Sequence, residues 1–67
     1  MRNRIRVWRA ERGLNQIQLA RRIGVHHNRI HRIEREYVEP TERERQALAA
    51  ALETTEQELF PEPPQAP

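Results

Sequence analysis

The chain has no cysteine, which excludes a disulfide framework, a thiol nucleophile and a cysteine-ligated zinc finger. It also lacks serine, lysine and aspartate, so the usual catalytic triads and Schiff-base lysines are absent. A non-enzyme without cofactor is expected. No apolar run approaches the ~18 residues of a membrane span, and Arg2, Arg4 and Arg6 are not followed by the apolar stretch of a signal peptide. These absences predict a cytoplasmic protein. At 67 residues the chain predicts one domain, able to bury about 60% of the surface exposed when unfolded. Stability must then come from packing, supplemented by self-association.

What is abundant is arginine, and its distribution is uneven. Residues 1–35 hold ten arginines against Glu11 and Glu34, a charge of +8, while residues 36–67 hold Arg43 and Arg45 against eight glutamates, a charge of −6; together they give the net +2. A basic half beside an acidic half predicts one surface that faces a polyanion and another that does not. Arginine suits phosphate and guanine because its planar fork donates at two points, although genome composition accounts for an all-arginine, all-glutamate bias as readily.

The stretch from Gln16 to Arg35 organises the rest. Leu19, Ala20 and Ile23 recur at helical spacing, as do Ile30 and Ile33, with Gly24 and Val25 between the two runs. Ala20 is small enough for a second helix to cross closely, Gly24 can take the positive φ of a sharp turn, and Val25 would plug the corner. This is the pattern of a helix-turn-helix, whose second helix lies in the DNA major groove. Its outward face carries Arg22, His27, Asn28, Arg29, His31, Arg32 and Arg35, donors with hardly an acid among them.

Around this motif, Arg4 to Arg12 reads as a first helix with Ile5 and Trp8 facing inward and Gly13 as its left-handed end. Asn15 is a suitable N-cap for the second helix. The recognition helix should run from His27 to Arg35. Pro40 pushes Glu39 out of helical geometry. Thr41 with Glu44 forms a capping-box pair opening a fourth helix, and Thr55 with Glu58 repeats the device for a short fifth whose Leu59 and Phe60 pack back on the domain. There is no strand signal. The fold predicted is all-α, five short helices, with residues 1–60 as the domain and 61–67 as an extended, disordered, proline-rich tail.

From Arg4 to Phe60 the chain resembles the Cro/CI-type, or Xre-like, helix-turn-helix family with its lambda-repressor-like fold. The resemblance is carried by Arg9, Gly13-Leu14-Asn15-Gln16, Leu19-Ala20, Ile23-Gly24-Val25, Ile30, Ile33-Glu34, Pro40-Thr41, Ala51-Leu52 and Glu58-Leu59-Phe60. Two positions depart from it: His26 stands where the family prefers Ser or Thr as N-cap, and Glu36 where it usually has Gly. The resemblance implies a sequence-specific regulator of transcription, with a repressor expected, binding double-stranded DNA as a homodimer on a pseudo-palindromic site. It places base reading at His27, Asn28 and Arg32 with Arg29 beside them, the last equally able to grip phosphate. It places phosphate contacts at Asn15 and Gln16, to which Arg22, His26, His31 and Arg35 are added as donors on the same face. Arg9 and Glu34 match a structural ion pair of the family.

His27 and His31, four residues apart, could both reach one ion, but two imidazoles without a cysteine or a nearby acid make a poor zinc site. No metal is expected; the three histidines should instead strengthen DNA binding as they protonate below pH ~6.5. Tyr37, Val38, Leu59 and Phe60 are the apolar candidates for a dimer interface. The alternative from another class is a protein-interaction module, such as the antitoxin of a toxin pair, with a basic protein partner.

Overall fold

The computed structural model describes residues 3–61, which form five helices and, among the described residues, no strand. They are α1 (Ile5–Glu11), α2 (Gln16–Ile23), α3 (His27–Glu34), α4 (Glu42–Ala51) and α5 (Glu56–Leu59), as the all-helical expectation had it. The proline-rich tail expected over 61–67 lies outside the described residues except for Pro61.

The starts of α2, α4 and α5 have a shared chemical cause. The Gln18 N–H donates to Asn15 Oδ1 at 2.7 Å and the Asn15 N–H donates back to Gln18 Oε1 at 2.8 Å, a reciprocal capping box that opens α2. Glu44 N–H to Thr41 Oγ1 at 3.1 Å and Thr41 N–H to Glu44 Oε1 at 2.8 Å open α4 in the same way. At α5 half of the device forms: Glu58 N–H donates to Thr55 Oγ1 at 3.1 Å, without the return bond the sequence predicts.

The ends of α1 to α4 share one geometry. After α1, the Leu14 N–H bonds Arg9 O at 3.0 Å across a left-handed Gly13 (φ 66°); after α2, the Val25 N–H bonds Ala20 O at 3.0 Å across Gly24 (φ 76°). After α3 and α4 the same closure recurs, Tyr37 N–H to Arg32 O and Thr54 N–H to Ala49 O, both 2.9 Å, but the left-handed residues are Glu36 (φ 62°) and Glu53 (φ 57°). The glycine missing at 36 is thus missing from a position whose backbone still requires positive φ.

Ile5, Leu19, Ile30, Ile33, Leu48, Leu52 and Leu59 are fully buried and bring all five helices to one core. Burying each such side chain stabilises the fold by about 1.5–3 kcal/mol. Ala20 of α2 is buried in the same core. Trp8 is partly buried rather than wholly interior: its ring packs at the core margin beneath the Arg12 guanidinium, 5.3 Å from the ring centroid. Arg12 also donates to Leu52 O at 2.8 Å, joining α1 to the end of α4.

Leu59 and Phe60 are 0% and 6% exposed, so they are core and not the dimer contact suggested for them. The reason is closure of the chain on itself: the Arg4 N–H donates to Leu59 O at 2.8 Å, and Arg45 lies over the Phe60 ring. Of the four apolar candidates, Tyr37 is the one on the surface, 65% exposed, with Val38 partly buried beside it.

Candidate nucleic-acid interface

α3 distributes its side chains in four directions. Ile30 and Ile33 enter the core, Glu34 turns to α1, Arg29 turns to α4, and His27, Asn28, His31, Arg32 and Arg35 are exposed. Residues three and four apart share a helical face, so 27, 28, 31, 32 and 35 form one continuous strip. Their side chains make no hydrogen bond to another described residue.

The start of the strip is built by His26. Its backbone is extended and its Nδ1 accepts the Asn28 N–H at 3.1 Å, so an imidazole does the work of the Ser or Thr that the resemblance led us to expect. Only a ring with a free lone pair on Nδ1 can accept. His26 therefore caps α3 through Nδ1, and its ring stacks on His27 at 4.4 Å between centroids. At the other end, the Tyr37 ring lies roughly perpendicular to His31 (6.4 Å between centroids) and beneath the guanidinium of Arg35 (5.8 Å).

The N-terminus of α2 lies beside the start of α3, with Asn15, Gln16, Ile17 and His27 lining one shallow groove together with Arg9. The first-turn amides of a helix lack intrahelical partners and attract anions. The Asn15 side chain is occupied by its cap. The Gln16 amide donates to Glu34 Oε1 at 3.1 Å, which ties the expected phosphate contact to the recognition helix. Arg22 is exposed but lies apart, lining a depression with Ile23, Ala47, Ala50 and Ala51.

The Arg9–Glu34 pair forms. Arg9 Nε donates to Glu34 Oε2 at 2.8 Å and Nη2 to Oε1 at 3.3 Å, while Nη1 reaches Leu14 O at 3.0 Å. One arginine thus holds α1, the loop before α2 and the end of α3.

Arg29, expected among the base readers, is already engaged. Its Nε donates to Glu44 Oε2 and its Nη2 to Glu44 Oε1, both at 2.8 Å, and Nη2 also reaches Glu39 O at 3.3 Å. The Arg29 hydrogen bond, supported by the Thr41 amide and opposed by partial burial, holds the Glu44 carboxyl below the usual carboxylate range. Donating to that carboxylate in turn raises the Arg29 guanidinium above its ordinary value.

Two contributors were not legible. Glu44 reads in sequence as a capping residue only, and its second role depends on α4 packing beside α3. Asn3 donates through Nδ2 to Ile33 O at 2.8 Å and so caps the end of α3 from a distant part of the chain. Exposed Ile17 is also on the groove, an apolar side chain on an otherwise polar surface. Among the described residues no group of three or more His, Cys, Asp or Glu comes together as a metal site, and no helix is long and apolar enough to cross a membrane.

An all-helical domain in which α2 presents its N-terminus beside an exposed, basic α3 is a helix-turn-helix DNA-binding domain. The family model described as helix-turn-helix matches residues 5–59, and the chain belongs to that family, the Cro/CI or Xre type, whose members are DNA-binding regulators of transcription. No curated protein matches the chain.

Proposed function

We propose that the chain is a transcriptional repressor that reads a short pseudo-palindromic operator through the major groove as a homodimer. The observation that carries this reading is the strip His27, Asn28, His31, Arg32 and Arg35, exposed on one face of α3 and free of hydrogen bonds to other described residues. Asn28 can read adenine and Arg32 guanine, each through two hydrogen bonds, and His27 stands beside them at the start of the helix. Phosphates are taken by the N-terminus of α2 at Asn15 and Gln16, by His31 and Arg35 along the strip, by His26 at the helix start and by Arg22 at the periphery.

Two recognition helices about one helical turn of DNA apart, roughly 34 Å, read two half-sites. With Leu59 and Phe60 in the core, Tyr37 and its neighbour Val38 are the apolar surface left from the expected interface. A Tyr37→Glu chain that stays dimeric at the same concentration as the wild type removes that interface from the proposal.

Selection of bound duplexes from a randomised pool tests the reading, followed by titration of the best site over a range of salt. An enriched palindrome, with log affinity falling by about 0.9 per phosphate contact for each unit of log salt, is the expected result. A single enriched half-site keeps DNA recognition and removes the dimer. Absence of both enrichment and salt dependence transfers the assignment to a protein-interaction module of the antitoxin kind, with the helix-turn-helix serving as scaffold.

A further inference from the structure

The recognition helix and its end carry three arginines, at 29, 32 and 35, and Arg29 stands apart from the other two. Arg32 and Arg35 are exposed, and neither is bonded to a described carboxylate. Arg29 is held at two points by Glu44, each at 2.8 Å. The acid is itself held: Oε1 accepts the Thr41 N–H at 2.8 Å and the Glu44 N–H bonds Thr41 Oγ1 at 3.1 Å, so the first turn of α4 orients the carboxylate that receives the arginine. The pair is partly withdrawn from water, with side chains 32% and 15% exposed. A guanidinium reads guanine or grips phosphate through the same two-point fork that Glu44 now fills.

We propose that Glu44 is a specificity-determining residue of the DNA-reading face: it withholds the Arg29 guanidinium from DNA, leaving recognition to His27, Asn28 and Arg32, while Arg29 positions α3 on α4. The inference rests on the DNA-binding reading above. An unpaired arginine in the first turn of the recognition helix would add a phosphate contact on any duplex, strengthening non-specific binding and narrowing the ratio between operator and other DNA. Glu44 removes that contribution and keeps the donors that discriminate. By count it belongs to the acidic half of the chain, yet it acts on the basic half.

The test uses the full chain, the pool-selected duplex and a duplex of unrelated sequence, each titrated across about 50 to 200 mM salt. Arg29→Met keeps a similar stem and removes the charge. It is expected to leave the slope of log affinity against log salt, and the selected sequence, as in the wild type. A slope shallower by about 0.9, or an altered base preference, overturns the proposal. Lost positioning alone weakens affinity without moving the slope. Glu44→Gln retains an amide oxygen for the Thr41 N–H and is expected to steepen the slope by about 0.9 on both duplexes. The double variant R29M/E44Q should return to the wild-type slope. An E44Q chain whose circular dichroism matches the wild type but whose slope is unchanged overturns the proposal; if E44Q fails to fold, the R29M result decides. A wild-type chain that binds neither duplex removes the DNA reading and this inference together, whereas salt-dependent wild-type binding that loses slope in R29M removes the inference alone.

Discussion

The recognition helix is tied down near both ends by an arginine–glutamate pair, and the two pairs differ in sense, depth and partners. Near its C-terminal end the helix supplies the acid: Glu34 takes two bonds from Arg9 and one from Gln16, with the Arg9 and Glu34 side chains 16% and 6% exposed. Near its N-terminal end the helix supplies the base, and Arg29 is taken by Glu44 of α4 at twice that exposure or more. A deeper pair is costly to break because the surviving charge stays buried. A shallower pair costs less to open, and its donors are of the kind DNA also uses. The inner pair fixes where α3 lies, and the outer pair sets which of its charges are available.

The contrast can be broken at several points. The largest effect is expected from Glu34→Ala, which leaves the Arg9 guanidinium and the Gln16 amide without their acceptor: a loss of about 3 kcal/mol in urea unfolding. Arg9→Met combined with Glu34→Leu should cost clearly less than Glu34→Ala alone. A single-variant loss below about 1 kcal/mol would make the inner pair equivalent to a surface pair and end the distinction.

Glu44→Ala comes next, with about 1–2 kcal/mol lost from charge-assisted hydrogen bonds and half of a cap. Its pH dependence gives a sharper measure. Because the folded carboxyl lies below its ordinary value of 4.5, the Glu44 contribution is fully present above that value and is lost as pH falls through the lower folded value. The stability difference between wild type and Glu44→Gln should therefore be constant near neutral pH and shrink in acid below the ordinary carboxylate range. A difference that grows in acid would contradict the assignment.

A gain is expected just beyond the inner pair. Glu36 adopts φ 62°, a conformation glycine takes without strain, and Glu36→Gly should stabilise the fold by about 0.5–1 kcal/mol while leaving the pair intact. The exposed bond from the Asn3 N–H to Glu36 Oε2, at 3.2 Å, is lost in exchange; Glu53→Gly, at φ 57°, likewise gives up an exposed ion pair with Arg12 at 3.7 Å, so the two gains should be similar. Thermal unfolding of both variants checks this.

The smallest effect concerns the histidines along the strip. Replacing His27 and His31 together by Ala should weaken operator affinity about threefold, the loss of two exposed polar contacts to DNA. Unchanged operator affinity in that variant would take the two imidazoles out of the interface.

Much of this molecule follows from short-range chemistry. Gly13 and Gly24, the caps at Asn15 and Thr41 and the spacing of Leu19, Ile23, Ile30 and Ile33 fall within one or two helical turns of the residues they govern, so they locate α1 to α4 from sequence. Arg9 and Glu34 are 25 positions apart, and their pairing came from the family resemblance. Apart from the missing return bond at α5, the assignments that needed revision depend on longer distances. Leu59 and Phe60 are apolar whether they face a second copy or their own core, and the bond from Arg4 to Leu59 O puts them in the core. Trp8 is large enough for either interior or margin, and Arg12 covers it at the margin.

The sequence by itself determined the helices, their caps, the basic strip and the class of partner, because helical period, capping and charge are properties of neighbouring residues. The tertiary structure decided which donors on that strip stay free. Arg29 and Arg32 are the same residue type on the same helix, and only the approach of α4 brings Glu44 to one and leaves the other exposed. The availability of a side chain depends on what the rest of the chain places against it.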